Sequence, residues 1–255
     1  MTPKHTFDLQ EGRSTIECVA RFEHQVTGVT VSEDNRIFVN FPRWTEDTAV
    51  SVAELLADGS VKPYPDEEWN AWRNARKDEV TPEDHWVCVQ SVVADGRGSL
   101  WVLDPAAPAQ SHMVDGGPKL VRIDLATNTV KQTIAFGEDT APQGSYLNDV
   151  RFSPEGDFAY ITDSGVKGAL LVVEIAAGRA VRVLDGDEST QMKKGLDVKA
   201  DGKDQTTEST CTGRRSRATP CTASRPSSCA APACAAKTYQ ARSRNTAPTA
   251  STTAS

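Results

Sequence analysis

From Asp201 to Ser255 the chain contains no Val, Ile, Leu, Met, Phe or Trp, and Tyr239 is its one large apolar side chain. A segment that cannot bury apolar surface cannot offset the entropy of ordering its backbone, so these residues form no packed core. Other absences narrow the chemistry. No run approaches the roughly 20 apolar residues of a membrane span. The opening MTPKHTFDLQEGR has neither the apolar stretch nor the small-residue cleavage site of a secretory leader. On these grounds alone the chain is expected to be soluble and to stay in the cytoplasm. GxSxG, P-loop and Rossmann glycine patterns are missing, which argues against serine-nucleophile and nucleotide chemistry. His5, His24, His85 and His112 form no i,i+4 pair and no HExxH.

Cysteine is scarcer than the count of six suggests, because Cys211, Cys221, Cys229 and Cys234 all lie beyond Asp201. That leaves Cys18 and Cys88, neither with a CxxC partner or a histidine at ligand spacing, so no zinc site is expected. Ile16, Cys18, Ala20 and Phe22 alternate as one face of a strand, which reads Cys18 as a buried thiol. A Cys18–Cys88 bridge has no support in the pattern. The net charge of −7 hides an asymmetry, since the segment after residue 200 carries eight Lys/Arg against three Asp/Glu. The acidic first 200 residues argue against nucleic-acid binding, and the scattered basic charges of the tail have no aromatic residues between them.

What is present is a repeated strand grammar. VTGVTVSEDNRIFVNF, CVQSVVADGRGSLWVLD and YLNDVRFSPEGDFAYITDS each spell strand, short turn, strand. Their turns fall at Glu33-Asp34-Asn35, Asp95-Gly96-Arg97-Gly98 and Pro154-Glu155-Gly156, residues that supply positive φ or local capping. Asp34, Asp95 and Glu155 recur about every 60 residues. Two further hairpins, LVRIDLATNTVKQTIAF and LLVVEIAAGRAVRVLD, follow the second and third units. Hairpin after hairpin at one long period predicts an all-β chain built of β-propeller blades. LLVVEI and WVCVQSVV carry apolar residues on both faces, as strands stacked between neighbouring blades should. One helix is expected over PYPDEEWNAWRNARKD, with acids in its first turn, bases near its end, and Trp69 and Trp72 packing one face against a blade.

These segments, with GGPKLVRIDLATNTV and the extended FPRW of the first unit, resemble the major royal jelly protein/yellow family in its bacterial, dopachrome-tautomerase-related branch. The resemblance runs from about residue 18 to 190 in the family's order. It implies a six-bladed propeller, of which this chain carries about three N-terminal blades over residues 14–200. It also implies secretion, against the plain reading of the N-terminus. The implied function is binding of a small aromatic or amine ligand in the central pocket, or dopachrome-like isomerisation. An alternative is a gluconolactonase-like, metal-dependent sugar-lactone lactonase. No cofactor is expected under the first reading; the alternative requires a divalent cation such as calcium.

If the chain is a propeller, its ligand groups should lie at the inner-strand ends. Gln90-Ser91, Asn148-Asp149 and Asp163-Ser164 are polar pairs inside apolar strands, where such groups need partners. Gln90, Asn148, Asp149 and Asp163 are therefore the candidate ligand residues, with Asn148 and Asp149 foremost. No residue is assigned to catalysis and none to a metal. The competing expectation is that Asp149 and Asp163 only cap turns or bond backbone amides.

Residues 201–255 read as a disordered tail, a mucin-like stalk, a cysteine-rich module, or coding sequence in a shifted frame. Cysteine codons begin TG, so a shift turns each into Leu, Val or Met. From Thr210 the shifted frame permits LYW and then LYRIP, strand text in the family's manner. The frameshift is the favoured expectation. It would make this polypeptide an inactive, truncated product whose open blade edges invite self-association.

Overall fold

The computed structural model describes residues 6–8, 15–44, 47–191, 198–200 and 203–205, with side chains over 18–44 and 47–191. The chain divides into two units, Met1–Ser224 and Arg225–Ser255, and every described residue lies in the first. The fold is all-β. A hairpin of β1 (Thr6–Asp8) and β2 (Thr15–Glu17) precedes three four-stranded antiparallel sheets. Blade 1 is β3 (Gly28–Val31), β4 (Ile37–Asn40), β5 (Val52–Leu55) and β6 (Val61–Pro63). Blade 2 is β7 (Ser91–Ala94), β8 (Ser99–Asp104), β9 (Lys119–Asp124) and β10 (Thr129–Ala135). Blade 3 is β11 (Leu147–Phe152), β12 (Phe158–Asp163), β13 (Ala169–Glu174) and β14 (Arg179–Val183). A last hairpin pairs β15 (Val198–Ala200) with β16 (Lys203–Gln205). Apart from β16, the segment 201–255 lies outside the described residues, as do His5 and the four late cysteines.

Within each blade the strands pair in chain order, and the first strands of successive blades lie against one another. The expected turns are where the sequence put them. Gly96 and Gly98 sit at φ 70° and 79°, where a side chain would strain the backbone. The Asp95 carboxylate stiffens that turn by accepting from Arg97 N at 2.8 Å and Ser99 N at 3.1 Å. β8 is buried at all six positions because it is a wall of two cores. Leu100 and Val102 join Phe38, Val52 and Tyr64 of blade 1. Trp101 and Leu103 join Leu147, Ala159, Ile161 and Leu171 of blade 3. Each such side chain contributes about 1.5–3 kcal/mol by leaving water. Stacking between blades is therefore the main source of stability.

Two expectations fail. Residues 64–78 form no α-helix, only turns and a short 3₁₀ segment, Asn74–Arg76. Asn70 overrides the helical propensity. Its Oδ1 accepts from Ser51 N (2.8 Å) and Val52 N (3.1 Å), while Nδ2 donates to Tyr64 O and Asp66 O. The segment is thus tied to the edge of blade 1 instead of to itself. Both tryptophans do serve packing, though in different clusters: Trp69 lies 4.4 Å from the Trp86 ring, and Trp72 sits with Val87 and Cys88. Second, WVCV is buried and Gln90 half-buried, but the segment is not strand, and β7 begins only at Ser91. Its backbone is satisfied by side chains from both flanking blades, described below.

Cys18 is half-buried and lies beyond the end of β2, with Sγ donating to Ala20 O at 3.5 Å. The alternation through Phe22 is therefore not a strand, although Phe22 packs edge-on against Phe41. Both described thiols are free. Among the described residues no helix is long and apolar enough to cross a membrane.

Candidate functional site

The blades are in a common register. Val29 pairs with Val39, Val92 with Val102, and Val150 with Ile161. Two residues before each valine stand Thr27, Gln90 and Asn148, one polar side chain at the start of each innermost strand. Blade 3 reaches this register through a β-bulge, in which Asn148 and Asp149 together oppose Thr162. The extra residue carries Asn148 to within reach of its neighbour blade.

A chain of hydrogen bonds then crosses all three blades. Trp44 Nε1 donates to Tyr146 Oη at 2.7 Å, and that hydroxyl donates to Gln90 Oε1 at 2.8 Å. Gln90 Nε2 donates to Asn148 Oδ1 at 2.9 Å. Behind it, Thr27 Oγ1 donates to Gln90 O (3.1 Å) and accepts from Asn40 Nδ2 (2.7 Å). Asn40 Nδ2 also holds Val89 O, while its Oδ1 is buried without a partner against the Cα of Gly28. Only a glycine fits there, since a Cβ would lie 2.2 Å from that oxygen.

Of the four predicted ligand residues, the structure joins Gln90 and Asn148. Asp163 is elsewhere and is spent: its side chain is fully buried, with Oδ1 accepting from Tyr146 N (2.7 Å) and Gly165 N (2.8 Å). Its Oδ2 pairs with Arg182 at 2.6 Å. Burial opposes the charge on Arg182, but its hydrogen bonds to Asp163 and Asp185 raise its pKa overall. Asp163 is thus a capping residue, and it anchors the segment that carries Tyr146. Asp149 is half-exposed, faces Arg151 at 3.7 Å and, among the described residues, makes no hydrogen bond with the Gln90–Asn148 pair. Ser91 is buried, and Ser164 bonds Tyr146 O.

Blade 2 repeats the Asp163 device in a position the sequence reading missed. Asp104 accepts from Val87 N (2.7 Å), Cys88 N (3.0 Å) and Ala106 N (2.8 Å), and its Oδ2 pairs with Lys119 at 3.2 Å. Lys119 Nζ spends its remaining protons on Pro82 O and Gly117 O. Burial lowers the Lys119 pKa, and Asp104 opposes that shift. Arg43 of blade 1 bonds the carbonyls of Trp86 and Val87; burial brings its pKa down to about 10. These groups, with Trp86 N donating to Trp69 O (2.7 Å) and Gln90 N to Leu103 O (3.0 Å), hold 86–90 in place. Tyr146 and Trp44 were also missed as site residues, although both sit in the quoted family segments beside a predicted strand.

The arrangement can bind but offers no evident nucleophile. A calcium ion takes about 6–8 oxygen ligands. Asp163 is consumed by Arg182, Asn148 Oδ1 by Gln90, and Asp149 stands apart, so these residues do not fit such an ion. Among the described residues no group of three or more His, Cys, Asp or Glu side chains is placed to hold a metal ion.

Residues 87–208 match the family model described as major royal jelly protein, a span that includes blades 2 and 3. No curated protein sequence matches the chain. Among solved structures the chain is similar to the hydrazine synthase of Kuenenia stuttgartiensis, at 16% identity and a TM-score of 0.33, covering 62% of this chain and 53% of that one. It is also similar to the periplasmic gluconolactonase of Pseudomonas aeruginosa, at 19% identity and a TM-score of 0.40, covering 72% of this chain and 47% of that one. The chain thus spans about half the length of these structures.

Proposed function

We propose that this chain is the ligand-bearing part of a yellow-like propeller, and that it binds a small aromatic or amine ligand at the starts of β3, β7 and β11. The observation that carries the reading is the Trp44–Tyr146–Gln90–Asn148 chain of hydrogen bonds. It places polar groups of three blades side by side where an otherwise apolar set of strands would need none. The royal jelly match over blades 2 and 3 supports the same function class. Dopachrome-like isomerisation would need a proton carrier at this place, and the Tyr146 hydroxyl is the one titratable group in the chain of bonds. Calorimetric titration with catechol, dopamine and tyramine tests the binding reading. Binding by the wild type and a loss of about tenfold or more in Gln90→Leu is expected, while equal affinity in both proteins would refute it. Decay of dopachrome colour in the same pair of proteins tests the isomerase reading.

The metal-dependent lactonase reading is disfavoured by the missing oxygen donors. The shifted-frame reading of residues 201–255 is supported by composition and by the end of the family match at residue 208. The nucleotide sequence across codons 195–215 decides it. An alternative frame that stays open with strand-and-turn text is expected, and early stop codons would exclude it.

A further inference from the structure

The hydrogen-bond chain has a direction, and its direction sets what its far end can recognise. An indole Nε1–H can only donate, so Trp44 fixes Tyr146 Oη as the acceptor of that bond. The hydroxyl proton then goes to Gln90 Oε1. With its oxygen so engaged, the Gln90 amide turns Nε2 toward Asn148, and Asn148 Oδ1 must accept. The Asn148 amide is thereby oriented as well: its Nδ2 faces away from Gln90 and, among the described residues, makes no hydrogen bond. It is not among the buried unsatisfied atoms, so it is open to a ligand. Flipping Asn148 alone would set N–H against N–H, and flipping both amides would give the Tyr146 oxygen, already accepting from Trp44, a second donor in place of the acceptor that takes its proton.

From this we infer that the site selects ligands by an acceptor oxygen, a carbonyl or carboxylate, docked on Asn148 Nδ2, and discriminates against a protonated amine at that position. The inference rests on the binding function proposed above and narrows its ligand class. A cationic head has only N–H donors to offer to an amide that also presents N–H. An acceptor oxygen completes the row of bonds that begins at Trp44.

Three probes with one ring and different termini test this: para-hydroxyacetophenone, para-hydroxyphenylacetate and tyramine, titrated calorimetrically against the full chain. At least one of the two acceptor-bearing probes should bind about tenfold more tightly than tyramine, the worth of one good hydrogen bond. Which of the two wins separates a neutral carbonyl from a carboxylate. Asn148→Asp keeps an oxygen for Gln90 Nε2 but replaces the outward donor with an acceptor, so the preference should reverse toward tyramine. Tyramine binding the wild type as tightly as both oxygen probes would overturn the inference while leaving the binding function intact. An unchanged order in a folded Asn148→Asp variant would overturn it too. Failure of all three probes would overturn the binding function itself. Should the variant not fold, the wild-type order alone decides.

Discussion

Asp104 and Lys119 are both nearly inaccessible, at 0% and 1% exposure, and among the described residues each is the other's only counter-charge in contact. Asp104→Asn would leave the ammonium buried against carbonyls alone. A loss of about 3–5 kcal/mol is expected, read as a lower urea midpoint at unchanged slope. Cys88 sits in the same pocket, where burial first and the Asp104 charge second push its thiol from 9.0 up to about 12. The unfolded chain therefore gives up this proton first as pH rises. The contribution of Cys88 to stability is complete below about pH 9 and is lost progressively toward pH 12. Peptide mapping after iodoacetamide should find Cys88 unmodified in the native protein at pH 8 and alkylated in urea. The sequence showed that Gln90, Asn148 and Asp163 were polar residues in apolar text. It did not show that a bulge at Asn148-Asp149 would turn Asn148 to Gln90 and leave Asp149 facing Arg151, because a bulge depends on pairing across strands.

The hairpin turns were legible because their chemistry is local. Asp95, Gly96 and Gly98 dictate the backbone wherever the rest of the chain goes. The missing helix at 64–78 and the non-strand 86–90 were not legible, since both depend on side chains distant in sequence. Asn70 serves the first, while Asp104, Arg43 and Asn40 serve the second. Asn70→Ala tests that view. It strips buried donors at Ser51 and Val52 of their acceptor and should destabilise the protein by about 3 kcal/mol, measured by chemical denaturation. If the segment were held by its own helical propensity, the same asparagine-to-alanine change would be neutral or stabilising. The Asp58-Gly59 turn joins β5 to β6 and completes blade 1.

The three sheets repeat one stacking rule. Phe38 and Trp101 occupy equivalent places in β4 and β8, and each is covered by the next blade. Tyr160 holds that place in β12, and it is 40% exposed beside Val181 at 49%. We propose that a second copy of this chain associates through this face of blade 3. Concentration-dependent sedimentation is expected for the wild type, shifting toward monomer in the Tyr160→Lys, Val181→Lys double variant; concentration-independent monomers would exclude it. The central claim concerns the other place where the blades meet. Its most direct test is the set of indole N–H resonances of the five tryptophans, followed while the best-binding ring probe is added. The resonance assigned to Trp44, by its loss in Trp44→Phe, should move through Tyr146 and Gln90, and those of Trp72, Trp86 and Trp101 should stay. A probe that binds while the Trp44 resonance remains fixed would place the ligand elsewhere and contradict the account.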